Sequence, residues 1–160
     1  MSAFRHRAVE FLATGAYSGY SPIVSGTVGS IPPWLIAYFA LRGDTLALAI
    51  TAVITTIISV WAAGEAEIIF GHDSKKIVSD EWAGMFIALL FLPYSLVAYL
   101  ISFFAFRFLD VVKIWPARAL EKLPRGWGVT MDDVAAGVQA NIATHLTLWA
   151  LTQAGLGWLI

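Results

Sequence analysis

The sequence predicts an all-α protein, a compact bundle of several helices integral to a membrane or partly embedded in one. Three observations predict it. Of 160 residues, 59% are hydrophobic and only 13% charged, against roughly 25% charged in an average soluble domain. The mean hydropathy is +0.75. Uncharged stretches of helical length, at 45–63, 82–106 and 134–160, alternate with short stretches crowded with charge. Ten basic and eleven acidic residues leave a net charge of −1, so no global field favours nucleic acid. The absence of cysteine removes disulfides, thiolate metal sites and cysteine nucleophiles together. The length suits one domain, residues 1–160.

In chain order, the first expected element is a short helix over residues 4–14. Arg5 and Arg7 precede the first apolar segment and suggest a cytoplasmic N-terminus. Residues 15–30 hold four glycines, Pro22 and several hydroxyl residues, which reads as a loop. Ser30 then caps a helix whose first turn holds Pro32 and Pro33 and which runs to about Leu41. Arg42-Gly43-Asp44 is a turn. Thr45–Ala63 is 19 residues without a charge, about 28 Å as a helix and long enough to cross a bilayer. Trp82–Phe106 is uncharged but broken by Pro93-Tyr94-Ser95. It is one kinked span or a hairpin. The hairpin is favoured because it lets the flanking charged segments meet. A polar-faced helix is expected from Arg107 to about Leu120, a turn at 124–128, and a last helix starting at Met131 or Asp132. The seven tryptophans suit interfacial belts.

The charges are concentrated. Residues 64–81 and 107–133 hold 16 of the 21. Asp80-Glu81 opens an apolar helix, which fits either helix capping at a membrane boundary or metal binding. Arg107, Asp110 and Lys113 recur every three residues, as an ion-pair ladder would or a phosphate clamp. Asp132-Asp133 repeats the acidic pair before Ala135, Ala136 and Gly137, small enough for close packing. Together the five carboxylates have the oxygen chemistry that Mg²⁺ takes, and the two cations suit a phosphate. The loop around Ser21, Ser25, Gly26 and Thr27 is a plain turn or a backbone nest for an anion. His6 and His145 read as structural. His72, in the polar stretch, has no evident base partner.

Four blocks in order give these residues a family likeness. They are Ser21-Pro22-Ile23-Val24-Ser25-Gly26-Thr27-Val28-Gly29-Ser30; Asp73 to Gly84; Phe106 to Lys113 with Trp115-Pro116; and Gly126-Trp127-Gly128 through Asp132-Asp133 to Gly137. The chain resembles the bacterial phosphatidylglycerophosphatase A family from about residue 8 to 145. Ser25, Ser74 and Ile114 stand where that family commonly has proline, which alters backbone stiffness and not ligand chemistry.

The resemblance implies a Mg²⁺-dependent enzyme of phospholipid synthesis. It would remove the terminal phosphate of phosphatidylglycerophosphate at the cytoplasmic face of the bacterial inner membrane. Asp80, Glu81, Asp132 and Asp133 are then expected to hold the metal, and Asp80, Asp110 and Asp133 to act in catalysis. Arg107, Lys113, Ser21, Gly26 and Thr27 are expected to bind substrate. Two competing classes are a small ion or solute transporter, which would carry charges deep inside its spans, and a non-catalytic membrane scaffold, which would tolerate substitution of the carboxylates.

Overall fold

The computed structural model describes residues 2–71 and 74–160. Seven α-helices and no strand are found among them, and their backbone polar groups are satisfied within each helix. The helices are α1 (Ala3–Ala13), α2 (Ser25–Leu35), α3 (Thr45–Phe70), α4 (Ser79–Ala88), α5 (Leu96–Val112), α6 (Ala117–Leu120) and α7 (Gly126–Gln153). Asp44 caps α3 by accepting from the Ala47 N–H at 3.0 Å, and Ser95 caps α5. α7 packs against α3, α4 and α5, so it is the centre of the bundle.

The hairpin expectation holds. After α4 the chain turns at Pro93-Tyr94-Ser95 and returns as α5. Ser102 donates to the Ala88 carbonyl oxygen at 2.8 Å, tying the two legs. Asn141 of α7 donates to the freed carbonyls of Ala88 and Leu90 at 3.0 and 2.6 Å, so the turn's unsatisfied acceptors find a buried partner. The returning leg is 17 residues long because it runs past the apolar stretch into the charged one. It therefore ends beside the start of α4, and Arg107 reaches Glu81.

Three expected boundaries are corrected. Residues 25–30 are helical, so Ser30 is buried inside α2 and is not its cap, and Pro32 and Pro33 lie in the helix interior. Here packing overrides turn-like composition: a methyl group on Gly29 would fall 2.7 Å from Val78 Cβ, so the small residues let α2 lie flat on α4. The expected helix from Arg107 to Leu120 stops at Val112, where Lys113 takes φ 46°, and Pro116 prevents its continuation. The last helix starts five or six residues early. Gly126 and Gly128 read as turn residues, but they are glycines because backbone lies against them. A methyl on Gly126 would strike the Val60 carbonyl, and one on Gly128 would fall 2.7 Å from the Glu121 carbonyl oxygen. α3 also runs past the expected Ala63 to Phe70, so Glu65 and Glu67 lie in its last turns. His72 lies outside the described residues.

The core has two parts. Leu48, Met85, Phe86, Leu89, Tyr99 and Phe106 fill the larger one, between α3, α4, α5 and α7. Val9, Ala13, Ala62, Ala66 and Ile77 seat α1 on α3. Between α4 and α7 the backbones touch. A methyl on Gly84 would fall 2.6 Å from the Asp133 carbonyl oxygen and 2.7 Å from Phe106 Cζ; one on Gly137 would fall 3.1 Å from Gly84 Cα. α3 is the one helix among the described residues long and apolar enough to cross a bilayer, and only 28% of its most apolar stretch is buried.

The crossing makes a direct prediction. Gly84→Ala should cost about 1–3 kcal/mol through overpacking, whereas Gly157→Ala, whose methyl would meet only ordinary contacts beyond 3.6 Å, should stay within about 0.5 kcal/mol. Thermal unfolding in detergent compares them; equal losses would contradict the close crossing.

Candidate functional site

At one end of the bundle lies a cavity of about 320 Å³. The N-terminus of α2, the first turn of α4, the end of α5 and the second turn of α7 meet there. Its lining includes six carboxylates, Asp80, Glu81, Asp110, Glu121, Asp132 and Asp133, and four cations, Lys75, Arg107, Lys113 and Arg125. All seven charged residues expected from the sequence line it. Gly26 also does, with Ser25.

Each charged group owes its position to local structure. Asp80 and Glu81 occupy the first turn of α4, where the helix dipole favours negative charge. Asp132 and Asp133 are in the second turn of α7, not at its start. Capping therefore does not account for them. They are brought in by the Gly84–Gly137 crossing, one turn beyond each acidic pair. Arg107 donates to Ser30 Oγ at 3.2 Å and lies 3.0 Å from Asp110 Oδ2 and 3.9 Å from Glu81 Oε1. Gly26 leaves room for this contact, since a methyl there would strike Glu81 and fall 2.7 Å from Arg107 Nη2.

The expected three-residue ladder forms only in its first rung. Lys113, turned out of the helix by its left-handed backbone, reaches Asp132 Oδ2 at 2.7 Å and Glu121 Oε1 at 2.9 Å instead. Asp132 also accepts the Asp133 N–H at 3.0 Å. Its carboxylate is thus engaged by Lys113 and the backbone, which separates it from the other expected metal ligands.

Asp80, Glu81 and Asp133 remain as a group. Each offers an oxygen within 4.8 Å of the others. Among the described residues, Asp80 Oδ1, Glu81 Oε2 and Asp133 Oδ2 are buried without a hydrogen-bond partner. An isolated buried carboxylate is costly, and three together repel one another. Burial pushes the Asp80 pKa well above the usual carboxylate range, with the Glu81 charge adding to it. Burial does the same to Asp133, helped by Asp110, Asp80 and Glu81. Burial also raises Glu81 and Asp132, against the opposing pull of their hydrogen bonds and cations. Burial alone would lower Lys113, but its hydrogen bonds to Asp132 and Glu121 outweigh that and hold its pKa above the ordinary lysine value. Hard carboxylate oxygens converging on one point fit a divalent cation such as Mg²⁺, whose charge would favour their ionised forms.

Two expected substrate contacts lie elsewhere. Ser21 does not line this cavity but an adjoining one, and its hydroxyl donates to the Ile23 carbonyl at 2.9 Å. Thr27 sits in the first turn of α2 but does not line the cavity. His6 and His145 are also away from it. Sequence reasoning missed Lys75, Glu121 and Arg125 as lining residues. The only signal for them was the crowding of charge at 64–81 and 107–133.

The chain matches the family model described as phosphatidylglycerophosphatase A over residues 11–148. It is similar to a Bacteroides thetaiotaomicron protein provisionally named phosphatidylinositol-3-phosphatase, 36% identical over 148 residues, or 88% of this chain and 93% of that one. It is similar to phosphatidylglycerophosphatase A of Escherichia coli, 38% identical over 133 residues, 79% of this chain and 76% of that one. The Haemophilus influenzae phosphatidylglycerophosphatase A is 32% identical over 149 residues, 89% and 91% of the two chains. No solved structure matches at a significant level.

The raised carboxylates fix the sign of a pH effect. A folded pKa above the unfolded value gives stability that is full below the unfolded pKa and is lost as pH rises through the folded one. Metal-free protein should therefore unfold at a lower temperature near about pH 8 than near about pH 5. The double variant Asp80→Asn, Asp133→Asn should flatten that slope. Circular dichroism melts read both, and a wild-type melting temperature that climbs with pH would contradict the assignment.

Proposed function

The chain belongs to the phosphatidylglycerophosphatase A family and is a phosphatase, and from that premise we propose that it hydrolyses the terminal phosphomonoester of phosphatidylglycerophosphate with Mg²⁺, giving phosphatidylglycerol. The observation that carries this reading is the convergence, in one cavity with Arg107 and Lys113, of three carboxylates that each keep one buried oxygen without a hydrogen-bond partner among the described residues.

Asp80, Glu81 and Asp133 would hold the metal, and Asp132 would act through Lys113. Bound Mg²⁺ would neutralise charge on the phosphoryl group and make a coordinated water more acidic. Arg107 and Lys113 bind the phosphate oxygens. Their carboxylate partners fix both heads in place beforehand, so little side-chain order is lost on binding. Asp110 is held at Oδ2 by Arg107; it orients the attacking water and takes its proton. The N–H groups at the start of α2, at Ser25 and Gly26, face the same anion with the positive end of a helix dipole. Water attacks phosphorus, the bond to the glycerol oxygen breaks, and that oxygen takes up a proton.

We read residues 1–160 as one domain seated in the bacterial cytoplasmic membrane with the cavity on the cytoplasmic side. Exposed apolar rows support it. Ile50, Ile54 and Ile57 form one on α3, Leu100, Phe104 and Phe108 another on α5, and Val138, Ile142, Leu146 and Trp149 a third on α7. Arg5 and Arg7 at the N-terminus fit the cytoplasmic side. The charges lie at segment ends, which fits an interfacial site better than an ion path.

Purified protein with phosphatidylglycerophosphate and Mg²⁺ should release phosphate, and chelation should stop it. Asp80→Asn and Asp133→Asn should each lower turnover by about 100-fold or more. Lys113→Met should raise KM most, since it removes a phosphate contact. Metal-independent release, or full activity in either Asn variant, would sink the proposal.

A further inference from the structure

A second cavity, of about 390 Å³, adjoins the first, and Ser25, Gly26 and Lys75 line both. Lys76, Pro22 and Val24 also border it. Val24, which lines it, is 65% exposed, and its neighbour Ile23 on the loop before α2 is 72% exposed, so an apolar surface adjoins the cavity. The Ser21 hydroxyl holds that surface by bonding the Ile23 backbone. A ligand that occupies both cavities passes Lys75 on its way from a strongly polar chamber to an apolar edge.

The four cations of the first cavity divide into two kinds. Arg107 and Lys113 are each held by two carboxylates. Lys75 and Arg125 make no ion pair among the described residues. Lys76, next to Lys75, stands over the Tyr20 and Phe70 rings at 5.2 and 5.3 Å, which engages its charge in the wall. Lys75 is thus an exposed ammonium at the junction with no carboxylate in ion-pair contact among the described residues.

We propose that Lys75 binds the phosphodiester of the lipid whose terminal phosphomonoester lies in the first cavity. The enzyme thereby selects a phosphomonoester carried on a phosphodiester-linked headgroup over one attached directly to diacylglycerol. This rests on the lipid-phosphatase reading above and adds a specificity determinant to it. The headgroup has two anionic centres separated by a polyol, and the site has two cationic centres, Arg107 with Lys113 and then Lys75, along one path. The acyl chains leave over Ile23 and Val24 toward the bilayer. Phosphatidylglycerophosphate and phosphatidylinositol 3-phosphate share this two-phosphate pattern. Phosphatidic acid lacks the second phosphate.

The test compares these three lipids, with matched acyl chains in the same detergent micelles. Wild type, Lys75→Gln, Lys75→Arg and Arg125→Gln are assayed for kcat and KM. Wild type should favour the two diester lipids, or whichever of them it cleaves, over phosphatidic acid. Lys75→Gln should raise KM for the diester lipids about tenfold, the loss of one charge-assisted contact, and leave kcat and the phosphatidic acid reaction unchanged. Lys75→Arg should restore the preference, and Arg125→Gln should not alter it. Equal effects of Lys75→Gln on all three lipids, no effect, or a preference that moves with Arg125→Gln would overturn the role of Lys75 while leaving the phosphatase reading intact. No release from any lipid by wild type would defeat both.

Discussion

The backbone of Gly84 lies against that of Gly137, and a side chain on either residue would have to push the two helices apart. This contact sets the distance between α4 and α7 at the level of the cavity. One turn before Gly84 stand Asp80 and Glu81; one turn before Gly137 stand Asp132 and Asp133. Close approach at the glycines is therefore close approach of four acids. The same crossing presses Phe106 onto Gly84, which places Arg107, its neighbour, at the rim of the acidic group. A wider crossing would relieve the repulsion and dissolve the site.

The repulsion is the energetic counterpart of that geometry. Three carboxylates with unpartnered buried oxygens oppose folding unless protons or a cation neutralise them. The structure neutralises part of the charge internally. Arg107 serves Asp110 and Glu81, and Lys113 serves Asp132 and Glu121. Among the described residues, Asp80 and Asp133 are left without a cationic side chain in ion-pair contact. A fully paired cavity would be more stable and would have nothing to offer a metal. The large hydrophobic core beside it, from Leu48 to Phe106, supplies the stability against which this local cost is set.

The hairpin of α4 and α5 joins that acidic group to its cations. α4 has ten residues and α5 seventeen, so the return leg extends past the apolar layer and carries Arg107, Asp110 and Lys113 to the level of Glu81. Lys113 then leaves the helix by adopting a left-handed backbone. A helical Lys113 would continue the three-residue ladder along α5. The turn instead sends it across to α7.

Much of this was legible in the sequence because it depends on composition and local pattern. Uncharged stretches of helical length gave an all-α chain, Pro93-Tyr94-Ser95 gave a break, and charge crowding gave the two segments that form the site. The motif residues Asp80, Glu81, Arg107, Asp110, Lys113, Asp132 and Asp133 were identified individually, and the family likeness rested on them. What the sequence left open depended on contacts between distant residues. Glycines at 26, 29, 126 and 128 look like turn formers to any local reading, yet they lie in helices, with another backbone or a side chain pressed against them. The division of labour among five carboxylates is not written in their spacing either. Asp132 and Asp133 are adjacent and chemically identical, and only their surroundings separate them: one faces Lys113, the other faces Asp80 and Glu81. The sequence by itself determined which residues carry charge in an apolar chain. Tertiary structure decided which charges are neutralised and which remain open, because that depends on distances between helices that only packing sets.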